Sequence, residues 1–332
     1  MTSTKEKSIF QPEYSVIIPL YNGRDEILRA VNSVRAQTFP SFEIIVVDDG
    51  SADGGSDLVR EIGDDRMRVI RQDHAGVAAA RNRGIKESRA LWIALLDSDD
   101  EWMPHFLMTV HGLRKQHPEC NVVVTKYLFC EKDGLRREPI MKGIPGGEWT
   151  GELTHFFSLA VQSDPILCSS VITVRKTALE SVGGFMEGVT IGEDLLTWAY
   201  LAARYRIAYS GRVSAMLWLR APLAGVVTRV PQVPDCVGSK LAELLPQIDL
   251  HKQHDFRKFI ALWHRMRAVM FLQLGDRKET FREIFNIAKY SLIDIQLYLY
   301  LILACVPKGT QRILIRIVSW VKIRKRSKAV IS

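Results

Sequence analysis

From Tyr14 to Gln116 the chain alternates two kinds of segment, and this alternation limits its fold more than any other feature. Tyr14–Pro19 (YSVIIP), Phe42–Val47 (FEIIVV), Arg66–Arg71 (RMRVIR) and Leu91–Leu96 (LWIALL) are short runs of strand character. Between them, Arg24–Arg35 sets Ile27, Leu28, Val31 and Val34 at helical spacing. Asp53–Ile62, the Ala-rich Gly76–Ser88 and Pro104–Gln116 also read as helices, the last with proline at its start, where it is tolerated. Strands alternating with helices predict an α/β fold with a Rossmann-like, mostly parallel central sheet flanked by helices. In such sheets ligands bind beyond the carboxyl ends of the strands.

Polar clusters stand at those ends. The first strand runs into Pro19-Leu20-Tyr21-Asn22, the second into Asp48-Asp49-Gly50-Ser51 and the fourth into Asp97-Ser98-Asp99-Asp100. Converging carboxylates repel one another unless a cation joins them. Asp97 and Asp99, two positions apart, can face one site from an irregular turn. Mg²⁺ or Mn²⁺ is usually held by one or two carboxylates plus substrate phosphates. The competing reading makes these residues helix caps: Asp53 for the second helix, Asp99 or Asp100 for the helix near Pro104. Taken together, three clusters at three strand ends favour a ligand site. Arg81 and Arg83, on the helix containing GVAAARNRG, offer a positive element that meets phosphate or a carboxylate, or else a solvated face.

After residue 119 the pattern loosens. Asn121–Tyr127 and Ser169–Val174 read as strands, with a Gly/Pro-rich loop around 143–147 between them, and Glu193–Ala203 as a helix. Beyond about residue 235 only helical patterning is visible. Hydrophobic residues at 47% and charged residues at 25% describe a globular chain rather than a disordered one. Five widely spaced cysteines without a Cys-x-x-Cys argue against a disulfide framework and a zinc site and suggest reduced thiols. His251 and His254 read as solvated helix residues. Lys5, Glu6, Lys7 and Glu13 precede any apolar run, unlike a secretory signal.

SVIIPLYNG, SFEIIVVDDGSADG, GVAAARNRGI and WIALLDSDDEWMP, in that order, resemble the nucleotide-sugar-binding half of the family 2 inverting glycosyltransferases, which have the GT-A fold. The resemblance covers roughly Tyr14 to Pro104, and with the boundary set where strand alternation ends it gives an expected GT-A domain over 1–235, with a donor half over about 12–118 and an acceptor half over about 119–235. A helical region over 236–332 follows. It implies that Pro19 and Tyr21 line the nucleotide pocket, Asp49 accepts from a uracil-type base edge, and Arg81 lies near base and phosphates. Asp97 would face ribose and metal, and Asp99 would bind the metal directly. Gly183-Gly184-Phe185 and Gly192-Glu193-Asp194 are similar to the family's acceptor-side stretch. There the Asp after Glu is the base, which makes Asp194 the general base and Glu193 its neighbour or an acceptor contact. Both acids also suit the first turn of a helix for dipole reasons. The implied activity is inverting transfer of a sugar from a nucleotide diphosphate-sugar, with a divalent metal (Mn²⁺ or Mg²⁺) as cofactor. No Gln-x-x-Arg-Trp motif of processive synthases occurs, so one sugar per encounter is expected. Trp218-Leu219-Arg220-Ala221-Pro222 supplies Arg220 but not the histidine that many non-processive members carry in that loop.

The net charge of +8 belongs to the C-terminal tail. Lys308, Arg312, Arg316, Lys322, Arg324, Lys325, Arg326 and Lys328 have no acidic residue among them, leaving 37 basic against 37 acidic residues elsewhere. Leu292–Val306 is mostly apolar but short for a span, which needs roughly 20 residues. Ile313, Leu314, Ile317, Trp320 and Val321 then share one helical face. This describes an interfacial helix on anionic lipid and predicts a peripheral protein at the cytoplasmic face of a membrane, acting on a glycan or lipid-linked acceptor. The basic run adjoins an apolar one, which favours a membrane over a nucleic-acid partner. Two other readings remain: a nucleotide-sugar-binding subunit without turnover, and a nucleotidyltransferase. The latter would carry a Gly-rich basic loop where LYNGRDE stands.

Overall fold

The computed structural model describes residues 11–131, 133–219, 229–291, 301–303 and 305–306. Arg220 and the basic tail from Lys308 onward lie outside the described residues, as does most of the apolar segment from Leu292.

The alternation becomes a run of β1 (Tyr14–Leu20), α1 (Ile27–Arg35), β2 (Phe42–Asp48), α2 (Gly55–Glu61), β3 (Met67–Arg71), α3 (Val77–Glu87) and β4 (Trp92–Leu95). Then come β5 (Glu101–Trp102), α4 (Phe106–Gln116), β6 (Val122–Cys130), β7 (Arg136–Arg137), β8 (Thr150–Glu152) and α5 (Phe156–Gln162). The sheet is completed by β9 (Ile172–Arg175), α6 (Lys176–Ser181), α7 (Glu193–Arg204) and β10 (Ile207–Trp218). The helices α8 (Cys236–Leu244), α9 (Leu250–Leu274) and α10 (Arg277–Tyr290) follow.

The main path through the sheet is β3-β2-β1-β4-β9-β6-β10-β5. The first four strands are parallel, with β1 between β2 and β4, and β9 enters antiparallel between β4 and β6. Every residue of β1 and β2 is buried, as expected of central parallel strands covered on both faces. The register sets Leu20 beside Asp48 and Asp48 beside Arg71, so β1, β2 and β3 end on one rim. Helix α3 lies close on β1, because Gly84 has no side chain: a Cβ there would overlap Ile17. This close approach sets Arg81, one turn earlier, at the same rim.

β10 is the element the sequence conceals. Its pairing with β6 shifts register between Ser210 and Val213 and again between Val213 and Ala215, around Gly211-Arg212. A strand bulged in this way loses its two-residue alternation. The helices beyond residue 235 share the main core: Val237, Leu241, Phe256, Ile260 and Trp263 pack in one cluster with the sheet. Ala261, Ala268 and Leu272 of α9 form a second small cluster with Ile284 and Ile287 of α10. No described helix is long and apolar enough to cross a membrane.

Candidate active site

At the carboxyl rim of the parallel strands lies a cleft of about 770 Å³. Pro19, Tyr21, Asp49, Arg81, Asp97, Asp99, Glu193 and Asp194 all line it. Residues 175 positions apart in the chain are therefore brought to one surface.

The nucleotide side is built around Asp49, which is 2% exposed. Its Oδ1 accepts from Gln72 Nε2 at 2.8 Å and from the Ala75 amide at 2.9 Å, and its Oδ2 accepts from the Gly76 amide at 2.8 Å. His74 Nδ1 stands 2.9 Å from the same Oδ2. A carboxylate has about four acceptor positions, so in this arrangement Asp49 orders the 72–76 loop. Ala75 and Gly76 hold Asp49 through backbone amides, whereas Gln72 and His74 reach it through side chains. Tyr21 stacks on His74 with ring centroids 4.0 Å apart, giving this side of the cleft an aromatic floor. Asn22, next in the chain, adopts φ 47°, a left-handed conformation that asparagine tolerates. Its amide donates to Ser51 Oγ, and its Oδ1 accepts from the Ala52 amide, joining the loops after β1 and β2.

Arg81 connects the two sides. It is 4% exposed, donating to Asp97 Oδ1 at 2.8 Å and to Glu193 Oε1 at 3.2 Å. Burial works against its charge, but Asp97, Glu193 and Asp194 outweigh burial and hold the guanidinium protonated, with its pKa above the usual range. Arg83, two residues on, points elsewhere and pairs with Glu87 in the next turn. Of the alternatives open for these two arginines, Arg81 meets carboxylates and Arg83 lies on a solvated face.

The acidic turn after β4 divides its labour. The Asp97 side chain is 34% exposed beside Arg81. Asp100 is buried and faces inward, accepting from Ser170 Oγ and from the Trp218 amide. It ties the turn to β10 and caps no helix. Asp53 accepts from the amides of Arg24 and Gly55, so it braces the turn that leads into α2. Burial, and then Asp97 and Asp99, push the Asp100 pKa well up.

Helix α7 brings the third element. Glu193 and Asp194 open it, after Gly192 at φ 85°. Asp194 Oδ1 accepts from the Leu195 amide at 2.7 Å, so both acids are also first-turn residues. Burial and the neighbouring Asp194 raise the Glu193 pKa, against the pull of Arg81 and Arg229. Asn82 fixes the preceding turn by bonding the Phe185 amide and carbonyl. The rim is completed by Val189, Thr190, Arg229 and Val230, with Thr190 Oγ1 donating to the Val230 carbonyl.

The cleft thus carries more negative charge than Arg81 neutralises, with Asp49, Asp97, Asp99, Glu193 and Asp194 in its lining. Hard carboxylate oxygens at Asp97 and Asp99, in a cleft with room for a phosphorylated ligand, fit Mg²⁺ or Mn²⁺. His74 and Arg229 were not found by sequence reasoning, because a lone histidine in QDHAG and a lone arginine in a loop carry no spacing signal. Among the described residues, the groups of three whose ligand atoms lie within 4.8 Å of one another are Glu119, Cys120 and Glu152, and Asp235, His264 and Glu283, and both lie outside the cleft. All five cysteines are free.

The model for "Glycosyl transferase family 2" matches residues 15–182, just over half the chain. TuaG of Bacillus subtilis (strain 168), a glycosyltransferase assigned by its name to teichuronic acid biosynthesis, is 32% identical over 204 residues. That match covers 60% of this chain and 76% of TuaG. An uncharacterised glycosyltransferase of Rickettsia bellii is 32% identical over 194 residues, but the match spans only 26% of its length. Among solved structures, S. aureus TarS 1-349 in complex with UDP-GlcNAc superposes with a TM-score of 0.56 at 19% identity. It covers 83% of this chain and 91% of that one, a likeness of fold. Family match, GT-A architecture and a strand-end cleft agree: the chain belongs to glycosyl transferase family 2 and is a glycosyltransferase.

Proposed function

We propose that this glycosyltransferase moves one sugar, with inversion, from a UDP-sugar to an acceptor hydroxyl of a growing cell-surface glycan or its lipid-linked precursor. The observation that carries the reading is the single cleft shared by Asp49, Asp97, Asp99, Arg81 and Asp194. UDP is favoured by the resemblance at Asp49 and by the UDP-GlcNAc complex of TarS. A polysaccharide acceptor is favoured by the role in TuaG's name.

In this reading the base lies against Tyr21 and Pro19, with its edge toward Asp49. Asp97 and Asp99 would hold a divalent ion. Such an ion, when bound, supplies Lewis acidity that offsets charge on the departing diphosphate. Arg81 holds Asp97 and Glu193 through one guanidinium and offsets part of their charge. Asp194 accepts the proton of the acceptor hydroxyl as its oxygen bonds to the anomeric carbon, and the diphosphate leaves from the opposite face. This single displacement gives inversion. Glu193, its pKa raised, sits beside the base as an acceptor contact. The C-terminal tail, by its sequence, would hold the protein at the cytoplasmic face of an anionic membrane, near a lipid-linked acceptor.

The test is UDP release from a panel of UDP-sugars with Mn²⁺, for the wild type and Asp194→Asn. A positioned general base contributes about 10²–10⁴-fold. Asp194→Asn should lose transfer by that order while binding UDP with Mn²⁺ as the wild type does. Unchanged transfer would refute the assignment of the base. Nucleotide binding without turnover of any donor in the wild type would instead support a non-catalytic binding subunit.

A further inference from the structure

The residue before the acidic pair, Gly192, is held from outside the cleft. A Cβ at Gly192 would lie 2.6 Å from Trp263 Cζ3 and closer still to Cη2, so the indole edge occupies the space of a side chain. Only glycine permits both this contact and φ 85°. Trp263, in the middle of α9, is 1% exposed.

The ring is clamped at its other end. Its Nε1 donates to Asp235 Oδ2 at 2.9 Å. Asp235 Oδ1 accepts from the Gly238 amide at 2.9 Å and so caps α8. Arg267 Nε lies 3.3 Å from Asp235 Oδ2 and 2.7 Å from Glu283 Oε1, while His264 Nδ1 stands 2.7 Å from Glu283 Oε2. Asp235, His264 and Glu283 are close enough to hold an ion, but Arg267 already supplies the cation between the two carboxylates. The network therefore fixes a side chain. The cap of α8 holds the indole of α9 directly, α10 reaches it only through Glu283 and Arg267, and the far edge of the ring presses on Gly192 at the start of α7. A phenylalanine in its place reaches neither Asp235 nor Gly192 in the same way.

We propose that Trp263, clamped by Asp235, is a positioning residue that sets the place of Glu193 and Asp194 in the cleft. This rests on the reading of Asp194 as the base. Helices α8 to α10 then act on the reaction through one ring edge, although none of them contributes a described residue to the cleft lining.

The experiment compares wild type, Trp263→Phe, Asp235→Asn and Asp194→Asn. Its readouts are turnover of the UDP-sugar identified by the panel, UDP affinity with Mn²⁺, and hydrogen–deuterium exchange at residues 193–197. Misplacement of a reacting group by about 1 Å can cost on the order of 10²-fold in rate. Trp263→Phe should lower kcat by about 10-fold or more, with UDP affinity within about twofold of wild type. It should also speed exchange at 193–197 while β1 and β2 remain protected. Unchanged kcat, unchanged exchange at 193–197, or UDP affinity lost in proportion to kcat would each overturn the proposal. If Trp263→Phe does not fold, Asp235→Asn decides. It keeps a capping side chain on α8 but weakens the hold on the indole, so the same split between kcat and affinity is expected. Equal kcat in that variant overturns the proposal. Full turnover in Asp194→Asn would refute the base itself. Its loss there, with wild-type kcat in Trp263→Phe, would refute the brace alone.

Discussion

Single residues carry the two kinds of electrostatics in this molecule, and Arg81 and Glu43 show them. Arg81 is a buried cation among acids at the functional rim. Glu43 is a buried anion at the start of β2, at the opposite end of the strand from that rim. It accepts from Ser15 Oγ at 2.7 Å, from the Arg89 amide at 2.7 Å and from Arg89 Nε at 2.9 Å. Burial alone would raise its pKa, but the bonds from Ser15 and Arg89 overcome burial and hold it below the usual carboxylate range. A carboxyl whose pKa falls on folding stabilises the native state above its unfolded pKa. That contribution is lost as pH drops through the folded value. Thermal midpoints measured from pH 7 downward should therefore fall more steeply below about 4.5 for the wild type than for Glu43→Gln; parallel curves would contradict the account. Arg81 and the clustered Asp residues were visible in the sequence because they sit at motif positions and strand ends. The inward turn of Asp100, the saturation of Asp49 by the 72–76 loop, and the contact between Trp263 and Gly192 were not. Each depends on a partner tens of residues away or on a backbone angle that no periodicity encodes.

Elements are legible when burial imposes an unbroken pattern on them. β1, β2 and β4 are buried along their lengths and appear as continuous apolar runs. β10 is twelve residues long yet was missed, because its bulge at Gly211-Arg212 breaks the alternation that would reveal it. Helix α3 is legible as a helix, but its distance from β1 depends on Gly84 alone. Overpacking a well-filled core costs about 1–3 kcal/mol, and helix α3 carries Arg81. Gly84→Val should therefore lower stability by about that amount in chemical denaturation. It should also weaken UDP binding, by pushing α3 off the sheet. Destabilisation with unaltered UDP affinity would show that the α3–β1 spacing does not reach the cleft.

At the scale of the whole molecule, one core extends from the parallel sheet into α8 and α9, so the C-terminal helices are continuous with the body that carries the site. The basic tail beyond them is a separate matter of charge. Flotation with anionic liposomes compares the full chain with a version ending at Val306. The tail reading predicts loss of liposome recovery on truncation and its recovery at low salt only for the full chain, since exposed charges are screened at high ionic strength. Equal recovery of both forms would remove the tail from the account. The central claim is that the strand-end carboxylates form one cation-dependent nucleotide site. It is tested most directly by calorimetric titration of UDP into wild type and Asp99→Asn, each with and without Mn²⁺. The account predicts that Mn²⁺ tightens UDP binding to the wild type by about 10-fold or more, since such an ion is usually held by carboxylates together with substrate phosphates, and has little effect on Asp99→Asn. UDP binding that is equally tight in all four titrations would contradict it.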